Sequence, residues 1–377
     1  MDGMTPATLP AVKLAAEDWD FATARPDPLS GIHPYPAKFI PEIPRKLIEA
    51  FRPSDGLALL DPFCGSGTAL LEAQAAGLPS IGIDLNPIAV LMSRVKTSAI
   101  SPGSSRLLSE VVELAHSNLA PPLPDIPRLD HWFKLAVQNA LASLALAIAS
   151  HGGAATDLLR LALSSIIVRV SNQESDTRYA AVEKTIDREE VFRQFVRSAR
   201  RIIDALQDRK TLQATAKVIE ADVLELNRAA IIRPVGLVVT SPPYPNAYEY
   251  WLYHKYRMWW LGFDPLAVKA REIGARAHFF KGKNSHTAAD FGHQMTQVMD
   301  LLFSVMVSGA YACFVVGRSK IHGNTVDNSA IIANVGAAYG FEEVGRVERV
   351  IAATRKSFNL SHANIKTETI LVLRKAV

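Results

Sequence analysis

Val235-Gly236-Leu237-Val238-Val239-Thr240-Ser241-Pro242-Pro243-Tyr244 decides the fold. Its first six residues form an apolar run, as in a strand buried on both faces of a parallel sheet. Pro242 and Pro243 have no N–H to give a neighbouring strand, so pairing stops and a rigid polar tip stands at the carboxyl end. Open α/β sheets place their ligands at that edge. The tip carries the Ser241 hydroxyl, the carbonyls beside two prolines and the Tyr244 ring. Such a set accepts hydrogen bonds from an exocyclic amino group and stacks on the flat ring that bears it.

A second signal lies upstream. Leu57-Ala58-Leu59-Leu60 reads as a strand that runs into Asp61-Pro62-Phe63-Cys64-Gly65-Ser66-Gly67-Thr68 and then a helical stretch, Ala69 to Ala76. Gly65 and Gly67 allow close backbone approach of a ligand and a tight turn into the helix. Ser80 to Ile83 is a short strand ending in Asp84. A carboxylate about 20 residues beyond a Gly-rich turn is placed to bind ribose hydroxyls. Asp222, after the strand-like Ala216 to Ile219, is placed to accept from an adenine amino group.

As a set, these stretches resemble the S-adenosylmethionine-dependent DNA amino-methyltransferases of the N4-cytosine/N6-adenine group. Asp61 to Thr68 resembles that family's cofactor loop, Gly82 to Asn86 its ribose-binding strand end, and Thr240 to Tyr244 its catalytic tetrapeptide. His33-Pro34-Tyr35-Pro36-Ala37-Lys38-Phe39 resembles the segment packed over the methionine end of the cofactor. Arg355 to Phe358 and Thr367 to Arg374 resemble its final loop and closing strands. The likeness covers residues 30–100 and 216–377.

It implies a Rossmann-like α/β fold of class I, with a mixed, mainly parallel sheet. It implies S-adenosylmethionine as cofactor, held by Lys38, Asp61, Phe63, Cys64, Gly65, Ser66, Gly67, Thr68, Asp84, Asn86 and Asp222. Ser241, Pro242, Pro243 and Tyr244 become the catalytic group, and no metal is called for. Double-stranded DNA with a flipped target base is the implied partner, alongside a cognate restriction endonuclease. Ser-Pro-Pro-Tyr leans towards N4 of cytosine, since Asp or Asn more often opens the motif for N6-adenine. RNA guanine-N2 methyltransferases share the Pro-Pro-Tyr step and a similar Asp-Pro-Phe-Cys-Gly loop. A catalytically inactive DNA-binding subunit is the non-enzyme alternative, against which the intact Gly65, Gly67, Asp84 and Ser241 to Tyr244 argue.

Composition fits such a protein. The chain has 377 residues, 49% hydrophobic, enough for a large α/β domain with an insertion. Two cysteines, Cys64 and Cys313, argue against a disulfide framework and for a reducing, cytoplasmic compartment. Neither lies in a Pro-Cys context, which argues against C5-cytosine chemistry and its cysteine nucleophile. No apolar run has membrane-spanning length, and the first residues lack a signal-peptide core. A net charge of +4 mildly favours a polyanionic partner.

Residues 1–30 are expected to form an arm, and residues 31–100 with 216–377 the catalytic core. Residues 101–215 break the strand–helix alternation and read as a helical insertion, a candidate target-recognition element. Its helices are expected at Phe133–Ser150, Thr156–Val170 and Asp187–Lys210. In the polar stretch Ser171 to Tyr179, Asp176 and Arg178 either orient substrate or form a structural ion pair. Tyr248 to Trp260 is rich in aromatic residues, and Trp251, Tyr253 and Trp259 fall at helical spacing expected of packing. His33 reads as a turn or packing residue without proton chemistry. Arg271, Arg276, Lys281 and Lys283, in a Gly-containing loop, are the expected DNA phosphate contacts. The arginines of the helix from Arg188 to Arg201 compete with them but stand among Glu189, Glu190 and Asp204.

Overall fold

A computed structural model of the chain describes residues 14–15, 17–21, 28–209, 212–245, 248–280, 285–351 and 367–377. Lys281, Lys283 and the Arg355–Phe358 stretch lie outside the described residues. Among the described residues the chain forms eight strands: β1 (Ala58–Asp61), β2 (Ser80–Asp84), β3 (Ala216–Glu220), β4 (Val235–Thr240), β5 (Met306–Ile321), β6 (Asn324–Asp327), β7 (Phe341–Val350) and β8 (Thr367–Lys375). Their order is β3-β2-β1-β4-β5-β8-β7, with β6 paired to β5 alone. β1 to β5 run parallel, and β8 inserts antiparallel between β5 and β7. This is the Rossmann-like α/β arrangement. β4 is buried along its whole length, as its unalternating pattern requires.

The order reverses between β1 and β4, and this topological switch point is where such sheets open a crevice. One sheet face packs against α1 (Glu42–Phe51) and α2 (Thr68–Ala75), joined there by Leu14 and Trp19 of the arm. The other packs against α12 (Ala288–Val305) and α13 (Asn328–Ala338), whose Phe291, Met295, Met299 and Ile332 are buried. Arm residues also reach the far sheet edge. The Trp19 carbonyl accepts from buried Arg349, and Asp20 accepts from the Val350 N–H.

Residues 104–207 form α4 (Ser104–Ser117), the short α5 (Leu129–Trp132), α6 (Leu135–Ala149), α7 (Ala154–Val170) and α8 (Arg188–Gln207). They build a separate apolar core that continues into α3 (Pro87–Thr97) through Leu91 and Met92. It also takes in Tyr256 and Trp260 of α9 (Tyr250–Trp260). The aromatic excess of that helix is thus partly spent on packing. After α9 come two short helices, α10 (Pro265–Arg271) and α11 (Arg276–Phe280). The basic loop expected at 273–283 is therefore partly helical. Among the described residues, no helix is long and apolar enough to cross a membrane.

Candidate active site

The two motifs meet across the switch point. Thr240 Oγ1, at the end of β4, donates to Asp61 Oδ1, at the end of β1, over 2.6 Å. The same carboxylate oxygen accepts from the Phe63 N–H at 3.1 Å, which fixes the turn out of β1. Asp84 closes the loop from the next strand. One of its oxygens accepts from Gly65 N–H and the other from Asn86 N–H, each at 2.8 Å. Asn86 in turn caps α3 by accepting from Ile88 N–H.

Gly65 and Gly67 are required here. Both have positive φ. A Cβ on Gly67 would stand 2.7 Å from Ser93 Oγ, and one on Gly65 2.9 Å from the Tyr35 hydroxyl. From below, Ser93 Oγ donates to the Gly65 carbonyl and the buried Lys96 ammonium to the Ser66 carbonyl.

A cleft of about 80 Å³ opens above this loop. Phe63, Asp84, Asn86 and Asp222 line one part, Ser241 and Pro243 another, and Tyr35, Tyr250, Arg271 and Glu272 close it. Tyr35 stacks on Tyr250 with ring centroids 5.6 Å apart, so the His33–Phe39 segment and α9 form one wall. Glu272 joins that wall by accepting from the Tyr250 and Trp251 N–H groups at the start of α9.

The cleft gathers buried carboxyls. Loss of water raises Asp84 to about 6, Asp61 to about 7 and Glu272 to about 8. Burial also raises Asp222, against the opposing pull of the Arg271 charge. A cation bound among these groups would relieve the cost of ionising them.

The sequences related to this chain agree with that geometry. Residues 11–94 match the model of a family described as DNA methylase, the N6/N4 methyltransferases. Over that stretch the chain is similar to the N4/N6 DNA amino-methyltransferases. A type II methyltransferase from Kocuria varians is 40% identical over 114 residues, 27% of this chain and 25% of the relative. Another from Geobacillus stearothermophilus is 24% identical over 272 residues, 62% of this chain and 53% of the relative. The chain thus spans about a quarter to about half the length of these relatives. The crystal structure of TrmN from Thermus thermophilus overlaps 93% of this chain and 53% of its own, at 12% identity and a TM-score of 0.37.

The cofactor of the amino-methyltransferase family is S-adenosylmethionine, and the cleft has the features to take it. The Asn86 side-chain nitrogen is buried at the cleft without a hydrogen-bond partner among the described residues. Donors of that kind are costly unless something satisfies them. Each Asp84 oxygen keeps lone-pair capacity after one N–H bond. At 65 and 67 the loop presents bare backbone, which a ligand can approach closely.

The expected residues do not all stand in the cleft wall. Phe63, Asp84, Asn86, Asp222, Ser241 and Pro243 line it. Asp61, Cys64, Ser66 and Thr68 are buried beneath the loop and shape it from below. Pro242 is buried, and Tyr244 is half-buried against the α12 side of the sheet. Gly274, at φ +73°, passes so close to the Tyr244 backbone that a Cβ would lie 2.8 Å from its carbonyl. Lys38 turns away from the cleft, its ammonium donating to the Ser30 and His33 carbonyls. Arg271 lines the cleft beside Asp222, while Arg276 is exposed at the start of α11.

Sequence reasoning missed Tyr250 and Glu272 as wall residues. Tyr250 sits in the aromatic-rich stretch but on the other helix face from Tyr256 and Trp260, a difference that helical phase carries. Glu272 carried no local signal. His33 is buried between Ser164 Oγ, at 2.9 Å, and the Pro34 carbonyl, and burial holds its ring well below the usual histidine range. A neutral packing role follows. Asp176 forms an ion pair, with Arg257 of α9, whereas Arg178 pairs with Glu174 at the surface.

Proposed function

We propose that this protein transfers the methyl group of S-adenosylmethionine to an exocyclic amino group of DNA, N4 of cytosine. The observation that carries this reading is the single cleft shared by Asp84, Asn86 and Asp222 with Ser241 and Pro243. A cofactor held by the first three residues meets a base presented to the last two.

The chemistry follows from the amine. Its lone pair is delocalised into the ring, so it is a poor nucleophile until its hydrogens are held out of the ring plane. Ser241 Oγ donates its own hydrogen to the Val315 carbonyl at 2.9 Å, which leaves the oxygen's lone pairs to accept one amino hydrogen. The Pro242 carbonyl takes the other, and Tyr244 stacks on the extruded base. When bound, S-adenosylmethionine supplies an electrophilic methyl group on a sulfonium. Asp84 and Asn86 orient it, and positioning with electrostatics provides the acceleration.

No covalent enzyme intermediate is needed. Cys64 and Cys313 are buried and their thiols are pushed well above the usual range, which disfavours the thiolate a C5 mechanism needs. The cytosine preference rests on serine at the head of Ser241 to Tyr244. In this reading residues 31–100 and 216–377 are the catalytic core and residues 101–215 the element that meets the DNA. A cognate endonuclease as partner and the cytoplasm as location belong to the same reading.

Mass spectrometry of nucleosides tests this, after DNA is incubated with the protein and methyl-labelled cofactor. Labelled N4-methylcytosine is expected. N6-methyladenine would overturn the cytosine choice and keep the amino class. Unlabelled DNA, with cofactor bound, would overturn the reading.

A further inference from the structure

Three cations from three parts of the chain meet on the insertion side of the cleft. Lys38, on the segment after Tyr35, donates to the Ser30 and His33 carbonyls. Arg201, exposed on α8, donates to the Ile32 carbonyl at 3.0 Å. Arg169, exposed in the last turn of α7, stands close enough for its charge to act on Arg201. The charges that act on Lys38 and Arg201 are all positive: Arg201 on Lys38, and Arg169 on Arg201. Arg197 and Arg200 are exposed on the same helix, one turn from or beside Arg201.

Asp204 lies one turn along α8 from Arg201, and no ion pair joins it to these cations among the described residues. Lys184 spends its ammonium on the Val168, Arg169 and Gln173 carbonyls, closing the end of α7. Asp176, the acid that acts on Lys184, is committed to Arg257. Like charges gathered without a counter-charge cost free energy that an anion would return. The place is also apt. Lys38 is three residues from Tyr35, which lines the cleft, so their backbones lie within about 11 Å.

We propose that Lys38, Arg169 and Arg201 form the site that grips the phosphates of the DNA strand beside the flipped base. This rests on the methyltransferase reading above. It stands beside the phosphate contacts expected at 271–283, of which Arg271 faces Asp222 in the cofactor cleft. Lys38 and Arg201 bind through donors left over from their carbonyl bonds, and Arg169 through its whole guanidinium.

The test is DNA binding across a salt series from about 50 to about 200 mM, where phosphate contacts set the slope. The proteins are wild type, Arg169→Gln, the double variant Arg169→Gln/Arg201→Gln, and Arg106→Gln as control. Arg106 is exposed on α4 and paired with Glu110. The slope of log affinity against log salt should fall by about 1 for Arg169→Gln, by about 2 for the double variant, and not for the control. Cofactor affinity should stay at the wild-type value in all four. The Arg169 side chain makes no hydrogen bond or ion pair among the described residues, so its single variant keeps the test open if the double variant unfolds. An unchanged slope in folded Arg169→Gln would overturn the proposal, as would a loss of slope seen on duplex RNA and not on DNA. Nucleoside mass spectrometry on the same samples separates the two readings. Methylated DNA with unchanged slopes removes the patch alone, and reduced slopes with no methylated base remove the methyltransferase reading alone.

Discussion

Two buried ionic arrangements flank α9, and they are built oppositely. On the Tyr250 side, Asp61, Asp84 and Glu272 are held by backbone N–H groups and the Thr240 hydroxyl, and among the described residues no cation pairs with them. On the Arg257 side, a fully buried guanidinium lies beside His33 and His254, and Asp176 neutralises it. A buried charge that carries its own partner is complete as it stands. One whose partner is missing is held ready for a ligand, and the folded protein bears the cost until that ligand arrives. The contrast separates structure from site more sharply than burial does, because both arrangements are buried.

The largest effect is expected from breaking the completed pair. Asp176→Asn leaves Arg257 charged and buried, which should lower the unfolding free energy by about 3 kcal/mol. Arg257→Met should cost less, because Asp176 keeps partial access to water, its side chain being 30% exposed. Urea denaturation of the two variants measures the difference. Equal costs would mean that the pair is not the source of the stability.

On the cleft side the backbone matters more than the charge. Gly67→Ala puts a side chain at φ 81°, against Ser93. A non-glycine residue in that region costs about 1–3 kcal/mol, and the contact with Ser93 adds to it. Cofactor affinity should be lost along with part of the stability. Full calorimetric affinity in the variant would show that the loop adapts freely.

Asp84→Ala comes next. Two N–H groups lose their acceptor and the cofactor loses a carboxylate, so affinity should weaken by about 1–3 kcal/mol. Charge then predicts a dependence on pH. Asp84, Asp61 and Glu272 hold protons more tightly in the folded protein than in the unfolded chain, with values near 6, 7 and 8. Without cofactor these groups favour folding in acid, and that contribution fades as pH rises from about 4 through 8. A cationic ligand needs the ionised forms, so its grip should strengthen over the same range. Thermal melts with and without S-adenosylmethionine should show a larger cofactor-induced shift at pH 8 than at pH 6. Equal shifts would remove the carboxyls from the electrostatics of binding.

The sheet edge was legible because its signals are local. Asp61 to Thr68 and Val235 to Tyr244 each carry a strand, a breaker and a polar tip within ten residues. That Thr240 bonds Asp61 could not be read, since 179 positions separate them and only the switch point brings them together. Nor could the fate of the cations. Lys38, Arg271 and Arg178 look alike in sequence, yet one turns to a carbonyl pair, one to the cleft and one to Glu174. The charged helix showed the same limit. Its acids at 189 and 190 sit at the first turn, with Arg193 paired to Glu190, while Arg201 lies three turns on, among other cations.

The smallest expected effect decides the question that Ser171 to Tyr179 poses. Asp176 and Arg178 stand two residues apart, and Asp176 is taken by Arg257. Arg178 is 73% exposed and pairs with Glu174 four residues before it. An exposed pair of this kind contributes about 0.2–1 kcal/mol at most. Arg178→Ala should therefore leave stability within about 0.5 kcal/mol of wild type and leave methylation unchanged. The assay that matters is the rate at limiting DNA. If the rate falls while the urea midpoint holds, Arg178 orients the substrate strand, and the polar segment has one residue on each side of the divide: Asp176 for the fold, Arg178 for the DNA. If both hold, the segment's work is structural and ends at Arg257.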